Sequence, residues 1–303
     1  MDPILSVNDL AWRIGIPVGR LRRVAADVDS HYSQFPIRKG DKVRILRVPK
    51  AELMDIQRRI RKNVLEAIPL SSEVHGGVRG RSASSNASQH LGKPCVVTVD
   101  VKSFFPKVRH YVIYRMFRHE LGFGKDVAYL LTRLTTLRSQ LPQGAPTSTA
   151  VANLLLAAPV DAPVTAQAER HDVAYTRFVD DIAMSGEEPR PLINLVARLL
   201  SRRRLRVHRT SGKSKPATKL RISFRSKAQE VTGLLVNSTA GPSVSRARRD
   251  RVRAAIFALQ TSQPEHAAQK AIRSILGRIA HIGRFNRGEA ARLKAYLAQT
   301  LGP

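Results

Sequence analysis

The chain has one cysteine, Cys95, in 303 residues. That excludes an intramolecular disulfide and fits a reducing, cytoplasmic setting. Cys95 opens an apolar run, which reads as a buried structural thiol. Aromatic residues are scarce at 5%. No apolar run of about 18 residues or more stands out, and neither end reads as a basic amphipathic anchor, so a membrane partner is set aside. The opening Met1-Asp2-Pro3-Ile4 lacks the basic-then-apolar pattern of a signal peptide. No fixed-period repeat is present.

Acid is the scarcest chemistry relative to its opposite. Lys plus Arg number 52 against 23 Asp plus Glu, a formal charge of +29. A globular chain with that excess repels itself unless a polyanion neutralises it. Nucleic acid is the default partner, because bound Lys and Arg release the counterions condensed on its phosphates. Between Glu188 and Glu230 there are 13 Lys or Arg and no acid. A solvated helix face normally mixes signs, so a one-sign block favours contact with a nucleic-acid backbone. Arg202, Arg203 and Arg204 in that block, and Arg248, Arg249 and Arg251 further on, are the candidate RNA- or DNA-binding residues.

Hydrophobic residues make up 43%, enough for a large core and several subdomains in one body. Residues 1–34 read as a small helical N-terminal element, broken at Pro17, or as a cap on the next domain. Residues 35–50 alternate basic and β-branched residues, which predicts a hairpin turning at Lys39-Gly40-Asp41. Leu53, Ile56, Ile60 and Val64 recur at helical spacing. Residues 76–88 are rich in Gly, Ser and Arg and read as a phosphate-binding loop. Cys95 to Val101 reads as a buried strand, residues 110–121 and 148–157 as helices, and residues 173–185 as two strands meeting at Asp180-Asp181. Pro191 starts an amphipathic helix. Further strands are expected near 205–208, 220–225 and 230–236. Beyond Gly241 the pattern is helical, split near Pro264 and Gly283. The fold class is therefore α+β, with a βαββαβ core.

Two places put carboxylates where chemistry is plausible. Asp100 ends an apolar strand, and a buried lone acid needs a partner or a metal. Asp180 and Asp181 are adjacent in a turn, where a divalent cation relieves their repulsion. Mg²⁺ prefers oxygen ligands and keeps waters and substrate phosphates, so few carboxylates suffice. The bland alternative is a polar hairpin turn and a helix cap. His75 and His90 have no Cys partner and no His-x-x-His spacing, so His90 reads as a hydrogen-bonded structural residue.

The motifs resemble those of reverse transcriptases, in order and in spacing. Val99-Asp100-Val101-Lys102-Ser103-Phe104-Phe105-Pro106 resembles the first catalytic block. Leu141-Pro142-Gln143-Gly144-Ala145-Pro146-Thr147-Ser148 resembles the Pro-Gln-Gly-x-Pro block. Phe178-Val179-Asp180-Asp181 resembles the second catalytic block, usually Tyr-Ala-Asp-Asp. Asn86-Ala87-Ser88-Gln89-His90 and Val231-Thr232-Gly233 are similar to strings typical of bacterial retron enzymes. The resemblance covers about residues 30–285.

The resemblance implies a right-hand polymerase. Residues 35–95 and 107–172 would be fingers with palm helices. Residues 96–106 and 173–238 would be a ferredoxin-like palm, and 239–303 a helical thumb. It implies catalysis by Asp100, Asp180 and Asp181, with Val101 joining them in holding two Mg²⁺, Mn²⁺ being a possible substitute. It places Arg44, Phe105, Gln143, Gly144 and Lys213 at the incoming deoxynucleoside triphosphate, Phe105 excluding a ribose 2′-hydroxyl. His208 stands where the family usually has Asn, and this departure leaves the placement of Lys213 open. The implied partners are a structured non-coding RNA that serves as template and primer, the RNA–DNA hybrid, and an effector protein in anti-phage defence. A group II intron-like or diversity-generating enzyme, and a non-catalytic RNA-binding scaffold, are the competing readings.

Overall fold

A computed structural model describes residues 2–39, 42–208, 220–260 and 265–302. Helix α1 (Val7–Ile14) opens on Ser6, whose side chain accepts from the Asp9 amide, and closes on Gly15 in the left-handed conformation. Pro17 starts α2 (Val18–Ala26), so the break falls where proline predicts it. Strands β1 (Tyr32–Lys39) and β2 (Lys42–Pro49) pair antiparallel along their full length. Their turn lies outside the described residues. Helix α3 (Ala51–Ile60) buries Leu53, Ile56 and Ile60 on one face. Its buried Gln57 donates to the Tyr32 hydroxyl at 2.8 Å and to the Leu134 carbonyl at 2.7 Å, which ties the hairpin to the core.

The stretch expected to be all loop at 76–88 contains a helix, α4 (Ala83–Ser88). Ser82 and Ser85 form a reciprocal capping box that nucleates it. Strand β3 (Cys95–Asp100) follows. Then come α5 (Phe104–Lys107), α6 (His110–Arg115), α7 (Lys125–Thr135), α8 (Ser148–Leu156) and α9 (Ala162–Arg170). Strands β4 (Ala174–Phe178) and β5 (Asp181–Gly186) form the next hairpin. Helix α10 (Leu192–Arg202) and strand β6 (Leu220–Phe224) complete a β-α-β-β-α-β order with added helices.

The sheet runs β4-β5-β3-β6, every neighbour antiparallel. The expected strand at 205–208 is reduced to a single bridge between Val207 and Val101. The expected strand at 230–236 is a short hairpin, β7 (Glu230–Val231) and β8 (Leu234–Leu235), because Gly233 at φ 81° turns the chain. Helices α11 (Arg246–Phe257), α12 (Glu265–Gly283) and α13 (Arg287–Leu301) follow.

Alternation along β3 splits the core between the two faces of the sheet. Cys95, Val97 and Val99 join Ile182 and Met184 in one cluster with the N-terminal helices and α6–α10. Val96 joins Ala183, Val231, Leu234 and the inner faces of α11–α13 in the other. The continuous helical stretch Ser148–Arg170 is long and apolar enough to cross a bilayer by length and composition, with 56% of its apolar window buried. The sequence reading passed it over. It serves as a core element, and Val151, Leu155, Leu156, Val160 and Val164 are buried in the first cluster.

Candidate active site and nucleic-acid interface

The expected acids meet. Asp100 ends β3, Asp181 starts β5, and the two are direct cross-strand partners. The Val101 amide donates to the Asp180 carbonyl at 3.3 Å, so the β3 end and the β4–β5 turn are stitched together at backbone level. Asp100 is half-buried, Asp180 is half-buried and Asp181 is exposed. The acids Asp100 and Asp181 line a cleft of about 400 Å³ with Phe178, Arg221, Thr232 and Gly233. The turn that lifts Asp180 is strained: Val179 has φ 61°, a left-handed conformation that a β-branched residue rarely adopts. Such a residue costs on the order of 1–3 kcal/mol and persists only where its surroundings hold it.

The surroundings are tight. Gly76 lies flush under the turn: a Cβ there would sit 2.5 Å from the Val179 nitrogen and 2.8 Å from the Phe178 carbonyl carbon. The segment around it runs alongside β4, with the Arg177 amide donating to the Glu73 carbonyl and the His75 amide to the Arg177 carbonyl, both at 2.8 Å. On the other side the His208 amide donates to the Asp100 carbonyl at 2.8 Å. The His208 ring nitrogen Nδ1 is 3.6 Å from the Asp100 carboxylate, beyond hydrogen-bond reach.

Among the described residues no group of three or more His, Cys, Asp or Glu side chains is already drawn together as a metal cage. The donor chemistry nevertheless suits a hard divalent cation. The side chains offered are carboxylates, and Mg²⁺ usually takes one or two carboxylates and completes its shell with water and substrate phosphates.

Phe104 and Phe105 lie in different surroundings. Phe104 is buried in the core at 2% exposure. Phe105 is half-buried, packs edge-on against Phe104 at 5.4 Å and lines a second pocket. That pocket, about 510 Å³, also contains Gln143, Gly144, Arg58, Arg61 and Thr149. Gly144 takes φ 107° and lies close against Arg47 of β2, whose amide donates to the Gln143 carbonyl at 2.8 Å. Thus Phe105, Gln143 and Gly144 line one pocket. Gly77 touches Thr149 of this pocket while Gly76 touches the acidic turn, so adjacent glycines connect the two recesses. Arg44 is on β2, with its side chain outside the described atoms. Lys213 lies outside the described residues.

The basic candidates separate. Arg202 and Arg204 are exposed, and Arg204 stacks over the Tyr111 ring at 5.3 Å. Arg203 is instead engaged within the fold, pairing with Glu120 at 2.6 Å with 17% of its side chain exposed. Arg248 and Arg251 line a recess of about 720 Å³ with Thr232, Ser274, Arg278 and His281. Arg249 is half-buried beside them.

The two shorter motif strings meet on the Ala183 face of the sheet, where Asn86, Val231, Thr232 and Gly233 also line the cleft of Asp100 and Asp181. His90 is buried and spans β4 and β5, with Nδ1 2.7 Å from the Ser185 hydroxyl and Nε2 2.7 Å from the Thr176 hydroxyl. Burial, aided by His75 and Lys93, pushes its pKa down to about 3. Thr232 donates to the Ala83 carbonyl at 3.0 Å, joining the β7–β8 turn to the start of α4. The sequence reading missed Asp161 and Arg177, a fully buried ion pair at 2.6 Å on the inner side of the turn. The signal in the sequence was an acid inside an apolar helix and a base inside an apolar strand, charges that are buried only when paired.

With this geometry in hand, the relatives are informative. Residues 37–219 match the family model described as reverse transcriptase (RNA-dependent DNA polymerase). The Retron Mx65 reverse transcriptase of Myxococcus xanthus is 32% identical over 94% of this chain and 70% of its own length. The Retron Se72 reverse transcriptase of Salmonella heidelberg is 28% identical over 99% and 80%. The Retron Ec86 reverse transcriptase of Escherichia coli is 26% identical over 87% and 82%. The family implies the right-hand polymerase fold, which the mixed helix-and-sheet architecture accommodates. The chain belongs to the reverse transcriptases, as an RNA-directed DNA polymerase of the retron type.

Proposed function

We propose that the chain copies a structured non-coding RNA into single-stranded DNA, starting from a 2′-hydroxyl of that RNA and leaving a branched RNA–DNA product. One observation carries the catalytic part: Asp100 stands directly across from Asp181, with Asp180 one residue away in the same turn. Asp100, Asp180, Asp181 and the Val101 carbonyl would hold two Mg²⁺. When bound, such a pair of cations activates the attacking hydroxyl and neutralises the leaving pyrophosphate. The sheet with α5 and α10 is the palm, the β1–β2 hairpin with α3, α4 and α6–α9 the fingers with palm helices, and α11–α13 the thumb. Gln143 and Gly144 position the incoming deoxynucleotide, and the Phe105 ring occupies the space that a ribose 2′-hydroxyl would need. Arg202, Arg204, Arg248 and Arg251 contact phosphates of the RNA and of the growing hybrid. We extend the reading to anti-phage defence alongside a separate effector.

The test is direct. The purified protein is expected to carry RNA joined to a short DNA, with a 2′,5′ branch seen on sequencing the product. Asp180→Ala combined with Asp181→Ala is expected to remove the DNA and spare the fold. DNA of normal length and yield in the double variant would overturn the catalytic assignment, and an unbranched product would overturn the priming assignment.

A further inference from the structure

Arg177 lies at 0% exposure on β4, two residues before the left-handed Val179. A guanidinium has five N–H donors, and here each finds an acceptor. Nε donates to Asp161 Oδ1 at 2.8 Å and Nη2 to Asp161 Oδ2 at 2.6 Å, a bidentate fork. Nη2 also donates to the Asn153 carbonyl at 3.2 Å, and Nη1 to Asn153 Oδ1 at 2.9 Å. The remaining donor, again on Nη1, goes to the Val179 carbonyl at 2.8 Å. Burial works against the Arg177 charge, yet the adjacent Asp161 carboxylate more than offsets it and keeps the guanidinium above its ordinary value.

The simplest role for such a pair is core structure. Its geometry argues for more. A buried ion pair is a weak way to stabilise a core, since apolar residues of equal volume serve as well. The bond to Val179 fixes the plane of the peptide that leads into Asp180, the residue whose placement matters. Two of the other bonds anchor that peptide to Asn153 of α8, the helix that follows the Gln143–Gly144 loop, and two to Asp161 just beyond it. Asn153 closes the ring by donating to the Gly76 carbonyl at 2.7 Å, and Gly76 is the residue packed under the turn. A π-turn over Ala157–Asp161 interrupts the helix where Asp161 is presented to Arg177.

We propose that Arg177 is a positioning residue for the Asp180–Asp181 turn. Through the Val179 carbonyl it holds the left-handed geometry that faces these acids toward Asp100, and through Asn153 and Asp161 it locks the turn to the nucleotide loop. The inference rests on the reading of the three acids as catalytic. Lysine would keep the charge beside Asp161, but a point charge lacks the fork that reaches Asn153 and Val179 together.

The test compares Arg177→Lys with Tyr175→Phe in the full-length protein on an RNA template-primer. The Tyr175 hydroxyl donates to Asp161 at 2.6 Å and not to the turn, so its loss weakens the same cluster without freeing Val179. Arg177→Lys is expected to lower kcat about 10- to 100-fold at saturating Mg²⁺, with KM for deoxynucleotides changed less than about twofold. Mn²⁺ binding without nucleotide, followed by the EPR signal of the free ion, should weaken in parallel. Tyr175→Phe should keep kcat within about twofold at a comparable melting temperature. Adding Val179→Gly to Arg177→Lys should restore part of the lost kcat, because glycine adopts this φ freely. Unchanged kcat in Arg177→Lys, or equal losses in both variants tracking their melting temperatures, would overturn the proposal. If Arg177→Lys does not fold, Asn153→Ala, which keeps the ion pair, takes its place: a fall in kcat at constant KM supports the clamp and an unchanged kcat overturns it. Asp180→Asn serves as the reference: full synthesis in that variant would show that the acid assignment, and not the clamp alone, is at fault.

Discussion

Asp100 and Asp181 share one cross-strand position, the last residue of β3 facing the first of β5. Cβ atoms so placed are about 4.5–5.5 Å apart, and like charges directly opposite destabilise a sheet. Two like charges held opposite each other point to function. Asp100→Asn and Asp181→Asn are therefore expected to lower deoxynucleotide incorporation by about two to three orders of magnitude, as loss of the groups that balance developing charge does. The melting temperature should change little, because asparagine keeps the shape of each side chain. Primer extension and thermal melting on the same preparations check both halves.

Gly76→Ala should damage activity from outside the acid cluster. Its Cβ would meet the backbone of Val179 and Phe178, which cannot yield as a side-chain tip would. Overpacking of this kind costs about 1–3 kcal/mol. The turn is what must move, and a displacement of about 1 Å at a catalytic group can cost about a hundredfold in rate. Denaturant unfolding and single-turnover incorporation should show a modest stability loss beside a large rate loss.

The acids were legible because each carries a local signature: an acid at the end of a β-branched run, and adjacent acids between two apolar strands. Several helices and the βαββαβ order of elements followed from periodicity, while helix α7 was not read at all. What was not legible depends on pairing at long range. Asp161 and Arg177 read as isolated charges in apolar surroundings until the α8–α9 region is laid against β4. Arg203 looked like part of a basic face, but Glu120, far away in the chain, claims it. Helix α4 hid in a Ser-rich stretch because its only strong signal was the Ser82–Ser85 cap. Helix α9 carries a proline in its first turn, where proline is tolerated and yet reads as a break.

That distinction among the arginines can be measured. RNA affinity should fall with salt, with a slope near 0.7–0.9 per neutralised phosphate. Arg202→Ala and Arg248→Ala, both exposed, should each reduce that slope by about one phosphate contact. Arg203→Ala should leave the slope unchanged and lower stability by less than about 1 kcal/mol, as expected for a partly exposed pair. Filter binding over a range of salt concentrations, with melting temperatures, separates the two behaviours.

Phe105→Ala should relax sugar selection. The ring lines the pocket shared with Gln143 and Gly144, and the expected exclusion of ribose is steric. Removing the ring should raise the ratio of ribonucleotide to deoxynucleotide kcat/KM by about 10- to 200-fold, the range that an apolar steric contact supplies. Phe104→Ala, at a buried neighbour, should instead cost about 3–5 kcal/mol of stability without changing that ratio.

His90 makes stability depend on pH with a sign that can be worked out. In the fold its pKa is pushed down to about 3, so it stays neutral between the Ser185 and Thr176 hydroxyls. In the unfolded chain it titrates near its ordinary value of about 6.5. Below that pH the unfolded state binds a proton that the folded state refuses, so stability falls as the pH drops. The slope is about 1.4 kcal/mol per pH unit, or about 2 kcal/mol lost at pH 5 relative to pH 8. His90→Gln keeps a donor and an acceptor but cannot titrate. It should be less stable than the parent at pH 8, and the gap should narrow by about 2 kcal/mol at pH 5. Urea unfolding at the two pH values measures the gap, and a gap that stays constant would mean that folding leaves the His90 pKa unshifted.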